Sequence, residues 1–273
     1  MKKLLTLALA MLFAMQLSAQ TTTVVVGDSN SVNNSGWIPL YCYYQNSYSQ
    51  SIYPASELNA GLIQSISYYK QGGADFNNGT VKIYMKEVDD ITLSGFLSGD
   101  GFVEVYSGAL NLHAGCVTYQ LSTPFVYTGA GNLCVAVIRD GTAYSSGHNF
   151  VVTDGSSIRA QSDGDEYFIN AIPSSYGIST MQQIPVTKFE MASLEGYCFP
   201  PSNVVASQIT NQSALISWET TEETLPTFGI AYRAEGETEW NVVDEGVNAL
   251  SYELTGLDSY TNYEVKVYTM CSE

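Results

Sequence analysis

Tyr263-Glu264-Val265-Lys266-Val267-Tyr268 alternates with period two: Tyr263, Val265 and Val267 fall on one side, Glu264 and Lys266 on the other. That is the pattern of a strand with one face in a core and one in water. Working back from it, alternating apolar runs recur at 251–254, 240–243, 228–233, 214–218 and 203–208, separated by turn-prone Thr, Glu, Gly, Asn and Asp. Short strands at this spacing predict a small antiparallel sandwich over the last third of the chain.

Pro201, Trp218, Tyr232, Leu257 and Tyr263 within those runs resemble the marker residues of fibronectin type III domains. The resemblance implies Trp218 on the second strand, Tyr232 on the third, and Leu257 with Tyr263 at the corner entering the sixth. It also implies a seventh strand, for which residues up to Glu273 leave no room, so the domain is expected to lack its last strand and the chain to be part of a longer polypeptide. Such a truncation would leave an unpaired strand edge, which native domains normally cover. In the topology of this family the sixth strand runs back toward the start of the first. The resemblance therefore implies that Cys198 and Cys271 approach each other and form a disulfide.

The N-terminus has the form of an export signal. Met1-Lys2-Lys3 is a positive start, an apolar stretch follows at residues 4–17, and Leu17-Ser18-Ala19 is a small-residue cleavage site. The stretch is shorter than the roughly 20 residues that cross a bilayer, and no second run reaches that length, so no membrane span is expected. The predicted layout is a signal peptide at 1–19, a β-sandwich domain at 20–197 and a truncated fibronectin type III domain at 198–273. The expected location is secreted or on the cell surface. Export places the 5 cysteines in an oxidising compartment. Cys42, Cys116 and Cys134 are left with two readings, a disulfide or buried reduced thiols.

Charge excludes one class of partner. With 27 acidic against 10 basic residues the formal net charge is −17, and no basic footprint for nucleic acid exists. The acidity suits a soluble surface kept apart by repulsion.

The region 20–197 also reads as β, with candidate strands at 21–26, 40–44, 62–69, 80–86, 102–107, 116–121, 132–139, 149–154 and 186–191. Helical periodicity is missing, and at most one turn of helix is expected at 55–59. The fold class is therefore all-β: two β-sandwich domains, the first jelly-roll-like. Ser47-Tyr48-Ser49-Gln50-Ser51-Ile52-Tyr53, Gly61-Leu62-Ile63-Gln64-Ser65-Ile66, Lys82-Ile83-Tyr84-Met85, Thr123-Pro124-Phe125-Val126-Tyr127 and Asn132-Leu133-Cys134-Val135-Ala136-Val137 together resemble an N-terminal β-sandwich module of large secreted and surface bacterial proteins. In those proteins the module often precedes fibronectin type III or adhesin-like modules, so the resemblance implies location and architecture rather than chemistry.

No catalytic signature is present: no His-Glu-x-x-His, no Gly-x-Ser-x-Gly, no phosphate-cradling loop. The 2 histidines, His113 and His148, lie in turn-like stretches and read as surface or loop residues. Asp154-Gly155 with Asp163, Asp165 and Glu166 offers clustered oxygens for calcium, although Asp-Gly is also an ordinary turn. No other cofactor is expected. The chain holds 20 tyrosines, many at Tyr41, Tyr43, Tyr44, Tyr48, Tyr53, Tyr68 and Tyr69. Strand alternation at 40–44 would send Tyr41 and Tyr43 to the face opposite Cys42 and Tyr44 and half-bury them, whereas exposed rings would make a platform for sugars or protein. The resulting reading is a noncatalytic module for adhesion, binding or spacing, with an extracellular protein or glycan as partner. The alternatives are the accessory region of an exported hydrolase and a carbohydrate-binding module.

Overall fold

The computed structural model describes residues 21–30, 35–171, 177–195, 197, 199–220 and 225–270. The chain divides into two compact units, one up to Leu194 and one from Glu195. The expected signal peptide, Cys198 and Cys271 lie outside the described residues.

The first unit contains β1 (Thr21–Val26), β2 (Ser35–Gly36), β3 (Asn46–Tyr53), β4 (Gly61–Gln71), β5 (Thr80–Val88), β6 (Val103–Ala109), β7 (Gly115–Tyr127), β8 (Asn132–Asp140), β9 (Asn149–Ser162), β10 (Ser179–Pro185) and β11 (Thr187–Ala192). Among the described residues its one helical element is a 3-10 turn at Ala55–Glu57, within the span the sequence allowed. One layer runs β1-β11-β4-β7, the other β10-β9-β3-β8-β5-β6; the start of β9 also pairs with the end of β4 and with β2, joining the two into one 11-stranded sheet, and every pairing is antiparallel. Several successive strands change layer, as from β3 to β4, β4 to β5 and β7 to β8, which makes the sandwich jelly-roll-like. The core between the layers includes Tyr53, Ile63, Ile66, Ile83, Val135 and Phe189. At about 25 cal/mol per Å² of apolar area removed from water, such burial is the main favourable term in folding.

Strand β3 carries polar residues yet is buried along its whole length. Its inward side faces the core, and its outward side lies beneath the loop between β5 and β6. Gln50 ties that loop down with both ends of its amide: Nε2 donates to the Leu97 carbonyl at 3.1 Å and Oε1 accepts the Leu97 N–H at 2.8 Å. Tyr48 stacks on Phe96 in the same layer, ring centroids 4.7 Å apart.

Two local expectations fail, one of a strand and one of a turn. Residues 40–44 form turns rather than a strand. Asp154-Gly155 is no turn either, because β9 continues straight through it, with Asp154 opposite Gln183 of β10.

The second unit contains β12 (Ser202–Ser207), β13 (Ser213–Glu219), β14 (Thr227–Ala234), β15 (Asn241–Val247), β16 (Ser251–Thr255) and β17 (Tyr263–Met270). They form two three-stranded sheets, β12-β13-β16 and β15-β14-β17. Ile216, Trp218, Phe228, Ile230 and Leu254 fill the space between, with Tyr232, Leu257, Val265 and Val267 packed against them. Trp218 meets Phe228 edge to face at 5.4 Å. At the corner entering β17, the Asp258 N–H donates to the Tyr263 hydroxyl at 2.9 Å, and the Tyr263 ring meets Tyr232. This is a tyrosine corner, in which a ring at the start of a strand fixes the turn before it. In its sheet β17 occupies the edge, paired to β14.

Candidate functional site

The turns at 37–45 and 141–149 of the first unit, joined to the ends of β3, β8 and β9, form a recess of about 350 Å³. Its aromatic wall is Trp37, Tyr41 and Tyr43; its polar wall is Ser145, Ser146, His148 and Asn149. Trp37 stacks on Tyr41 (centroids 5.2 Å, planes 23° apart) and Tyr41 on Tyr43 (6.1 Å, 23°). Tyr144 approaches Tyr43 from the facing turn at 6.3 Å. Trp37, Tyr43 and Tyr144 are 51%, 54% and 67% exposed, so three large rings of this connected set reach solvent. In the turn at 40–44, Tyr41 and Tyr44 are half-buried and Tyr43 is exposed, while Leu40 and Cys42 are buried.

Hydrogen bonds hold these turns in place from beneath. The Ser145 N–H donates to the Cys42 carbonyl at 2.7 Å and so ties one turn to the other. Asn78 Oδ1 accepts the N–H groups of Thr142 and Ala143 at 2.9 and 2.8 Å. Arg139, fully buried at the end of β8, donates through Nη1 to the carbonyls of Tyr44 (2.6 Å) and Gln45, and through Nη2 to those of Asn78 (3.1 Å) and Ala143 (2.9 Å). One guanidinium thereby joins three loop segments. Carbonyls bonded to a charged donor inside a protein are held more strongly than by neutral pairs. The Arg139 guanidinium also lies over Phe76, which stacks on His148 at 5.2 Å.

His148 was expected at the surface or in a loop, and the structure places it in the loop before β9 but buried. Its Nε2 lies 2.8 Å from Ser145 Oγ. Burial, then the nearby Lys70 and Arg139 charges, push its pKa below the ordinary imidazole value, so the ring is neutral. Close passage of the neighbouring turn requires glycine. Gly73, at φ +72°, would set a Cβ 2.7 Å from the Gly147 carbonyl oxygen. His113 is exposed and contacts the carbonyl of Ala114.

Arg159, on β9 opposite Ser49 of β3, underlies the aromatic wall. Its guanidinium carbon sits 4.2 Å from the Tyr41 ring centroid and 5.8 Å from that of Trp37. Nε donates to Gln161 Oε1 at 3.0 Å and Nη1 reaches the Trp37 carbonyl at 3.4 Å. A cation over desolvated rings both attracts and orients them.

The carboxylates read as a calcium cluster are not brought together. Asp154 is separated by the second half of β9 from the turn that carries Asp163, Asp165 and Glu166. Asp163 instead accepts the Gln45 N–H at 3.2 Å, and Ser162 Oγ bonds the backbone of Asp165. Among the described residues no group of three or more His, Cys, Asp or Glu side chains is placed to hold a metal ion. Among the described residues, too, no helix is long and apolar enough to cross a membrane.

A larger recess, about 580 Å³, lies in the second unit against Ala214, Ile216, Leu254 and Val265. These belong to or pack on that unit's core. It is the gap between its two sheets, whereas the recess at Trp37 is lined by rings that no core requires.

Residues 199–273 match the family model of the fibronectin type III domain. No curated protein matches the chain. Among solved structures, a segment of two fibronectin type III domains from chicken tenascin matches at 10% identity and a TM-score of 0.27, covering 82% of this chain and 92% of that one. The family match, the two three-stranded sheets and the tyrosine corner agree on the second unit: it is a fibronectin type III domain.

Proposed function

We propose, with that domain as premise, that the chain is a noncatalytic binding module of an exported, cell-surface or secreted protein, and that the first unit carries the binding face. The observation behind this reading is the row of exposed rings, Trp37, Tyr43 and Tyr144, on turns fixed by Arg139, Asn78 and the Ser145–Cys42 hydrogen bond. Exposed aromatic groups on a preorganised backbone lose little freedom when a ligand seats on them, and they contribute most of the energy at many interfaces. Fibronectin type III folds are common among extracellular noncatalytic modules, and the export-type N-terminus fits that setting.

The test has two arms. The full chain is applied to an array of extracellular glycans and proteins beside a Tyr43→Ala/Tyr144→Ala variant, and both are assayed on casein, chromogenic esters and common glycosides. Binding that the double variant loses, with no turnover, supports the reading. Turnover that survives repurification and disappears in His113→Ala or His148→Ala overturns the noncatalytic assignment. Binding that the double variant keeps overturns the assignment of the face.

A further inference from the structure

Among the described residues, every buried side chain of Lys, Arg, Asp or Glu type is a cation: Lys70, Arg139 and Arg159, at 4%, 0% and 5% exposure. In a chain with 27 acids and 10 bases this is the reverse of what composition favours. None of the three is in an ion pair among the described residues, whose ion pairs are Lys188–Glu190 and Arg233–Glu264. Their acceptors are neutral. Lys70 Nζ donates to the carbonyls of Gly72, Gly73 and Ala74 at 2.5, 3.1 and 3.4 Å, Arg139 to four carbonyls, and Arg159 to an amide oxygen and a carbonyl.

Buried charges are ordinarily paired, because desolvating a lone ion costs on the order of several kcal/mol. Here the three cations gather around one feature. Arg159 underlies Tyr41 and Trp37, Arg139 holds the Tyr44 and Ala143 carbonyls, and Lys70 fixes the turn that passes Gly147 and His148. Their field reaches the lining groups: Arg139 and Lys70 act on Cys42 and His148, and Arg159 acts on Tyr41. The residues that line the recess include no carboxylate. An acidic protein thus keeps one site that is aromatic, rich in hydroxyl and amide groups, and positive underneath.

Resting on the reading of this recess as the binding face, we propose that it takes an acidic saccharide, a glycan whose sugar rings carry a uronic carboxylate. Each part of that ligand has a counterpart. The C–H face of a pyranose ring lies on the exposed rings of Trp37, Tyr43 and Tyr144, which are apolar above and below their planes. Its hydroxyls meet Ser145, Ser146 and Asn149, and its carboxylate lies in the field of Arg159, which stands behind the Tyr41 and Trp37 rings rather than in the lining. The volume, about 350 Å³, is near the lower end of the ~300–1,000 Å³ of small-ligand sites. That suits one or two rings of a chain continuing past an open mouth. A dense polyanion such as nucleic acid is disfavoured by the net charge of −17. A single carboxylate responds to the local field instead, since charges more than about 8 Å away are largely screened at physiological salt.

Calorimetric titration of the full chain with trigalacturonic acid and with its carboxyl-reduced, neutral counterpart tests this. The acid trimer is expected to bind at least about tenfold more tightly at ~10 mM ionic strength, with the margin shrinking at ~150 mM as the Debye length falls from ~30 to ~8 Å. Tyr144→Ala, at an exposed position that folding does not need, weakens both trimers about tenfold. Arg159→Gln removes the preference for the acid and Arg159→Lys keeps most of it, with thermal melting of each variant confirming a folded first unit. Equal or tighter binding of the neutral trimer overturns the proposal, as does indifference to Tyr144→Ala. If neither trimer binds while the array returns a neutral glycan or a protein whose binding the Tyr43→Ala/Tyr144→Ala variant loses, the acidic-saccharide assignment falls and the binding module stands. If the array is blank as well, both fall.

Discussion

The Thr269 hydroxyl donates to the Phe199 carbonyl at 2.6 Å, so the end of β17 lies beside the residue at which the fibronectin type III match begins. Phe199 follows Cys198 directly, and Cys271 comes two residues after Thr269. From this neighbourhood we predict a Cys198–Cys271 disulfide in oxidised protein. Non-reducing peptide mapping should recover the crosslinked pair, and reduction should lower the stability of the second unit by roughly 4 kcal/mol on the chain-entropy model. Free thiols at both positions in exported protein would contradict it.

The three remaining cysteines are unpaired in the structure and differ in environment. Burial pushes the Cys42 thiol up to about 11 and Cys134 up to about 12, although nearby Arg139 and Lys70 pull Cys42 down and Lys86 pulls Cys134 down. The thiolate is the reactive form, so at pH 8 both should resist alkylation until the first unit unfolds. Cys116, partly exposed on β7, should react first. Mass spectrometry of iodoacetamide adducts with and without urea reads the order; early labelling of Cys134 would show that the core at β8 opens readily.

His148 makes the first unit sensitive to mild acid. Its folded pKa lies below the unfolded value of about 6.5, so between the two the unfolded chain binds more protons and stability falls as pH drops. The contribution is fully present above the unfolded pKa and is lost through the window beneath it. Glu190 acts lower: hydrogen bonds from Thr23 and Lys188 hold its carboxyl below the ordinary range, and that contribution disappears only as pH falls past about 4.3. Urea titrations from pH 7.5 to about 5 should show a decline that His148→Gln flattens. An unchanged slope in the variant would mean that another group titrates.

Arg139 is predicted to matter more for stability than any ring on the binding face. Arg139→Met leaves the carbonyls of Tyr44, Gln45, Asn78 and Ala143 without that donor and should destabilise the first unit by about 2 kcal/mol or more. Tyr144→Ala should fall within about 0.5 kcal/mol of the parent. In the second unit, Trp218→Ala removes a buried ring packed on Phe228 and should cost about 3–5 kcal/mol. With two compact units, each substitution should shift its own unfolding transition, read by denaturant melts.

Period-two alternation made the second unit legible. Val265 and Val267 pack on its core, Tyr263 meets Tyr232, and Glu264 pairs with Arg233 outside. In the first unit β4, β5 and β11 were legible at least in part for the same reason, and β8, buried on both faces, as a short continuous apolar run. Strand β3 was not read from pattern, since a strand buried on both faces has no dry and wet sides to alternate, and its serines and Gln50 are satisfied by hydrogen bonds rather than exposed. The tyrosines were visible but their exposure was not. At 40–44 the alternation suggested a strand, while the turn is imposed by Arg139 and Ser145, residues distant in sequence. The gathering of Lys70, Arg139 and Arg159 around one recess left no signal along the chain.

Ligand is expected to seat on the aromatic recess of the first unit and not in the larger gap of the second. Amide hydrogen exchange of the full chain, with and without its strongest array ligand, tests this most directly. Added protection should be confined to 37–45 and 141–149, with the amides of 206–216 and 254–265 unchanged. Protection appearing in the second set and absent from the first would contradict it.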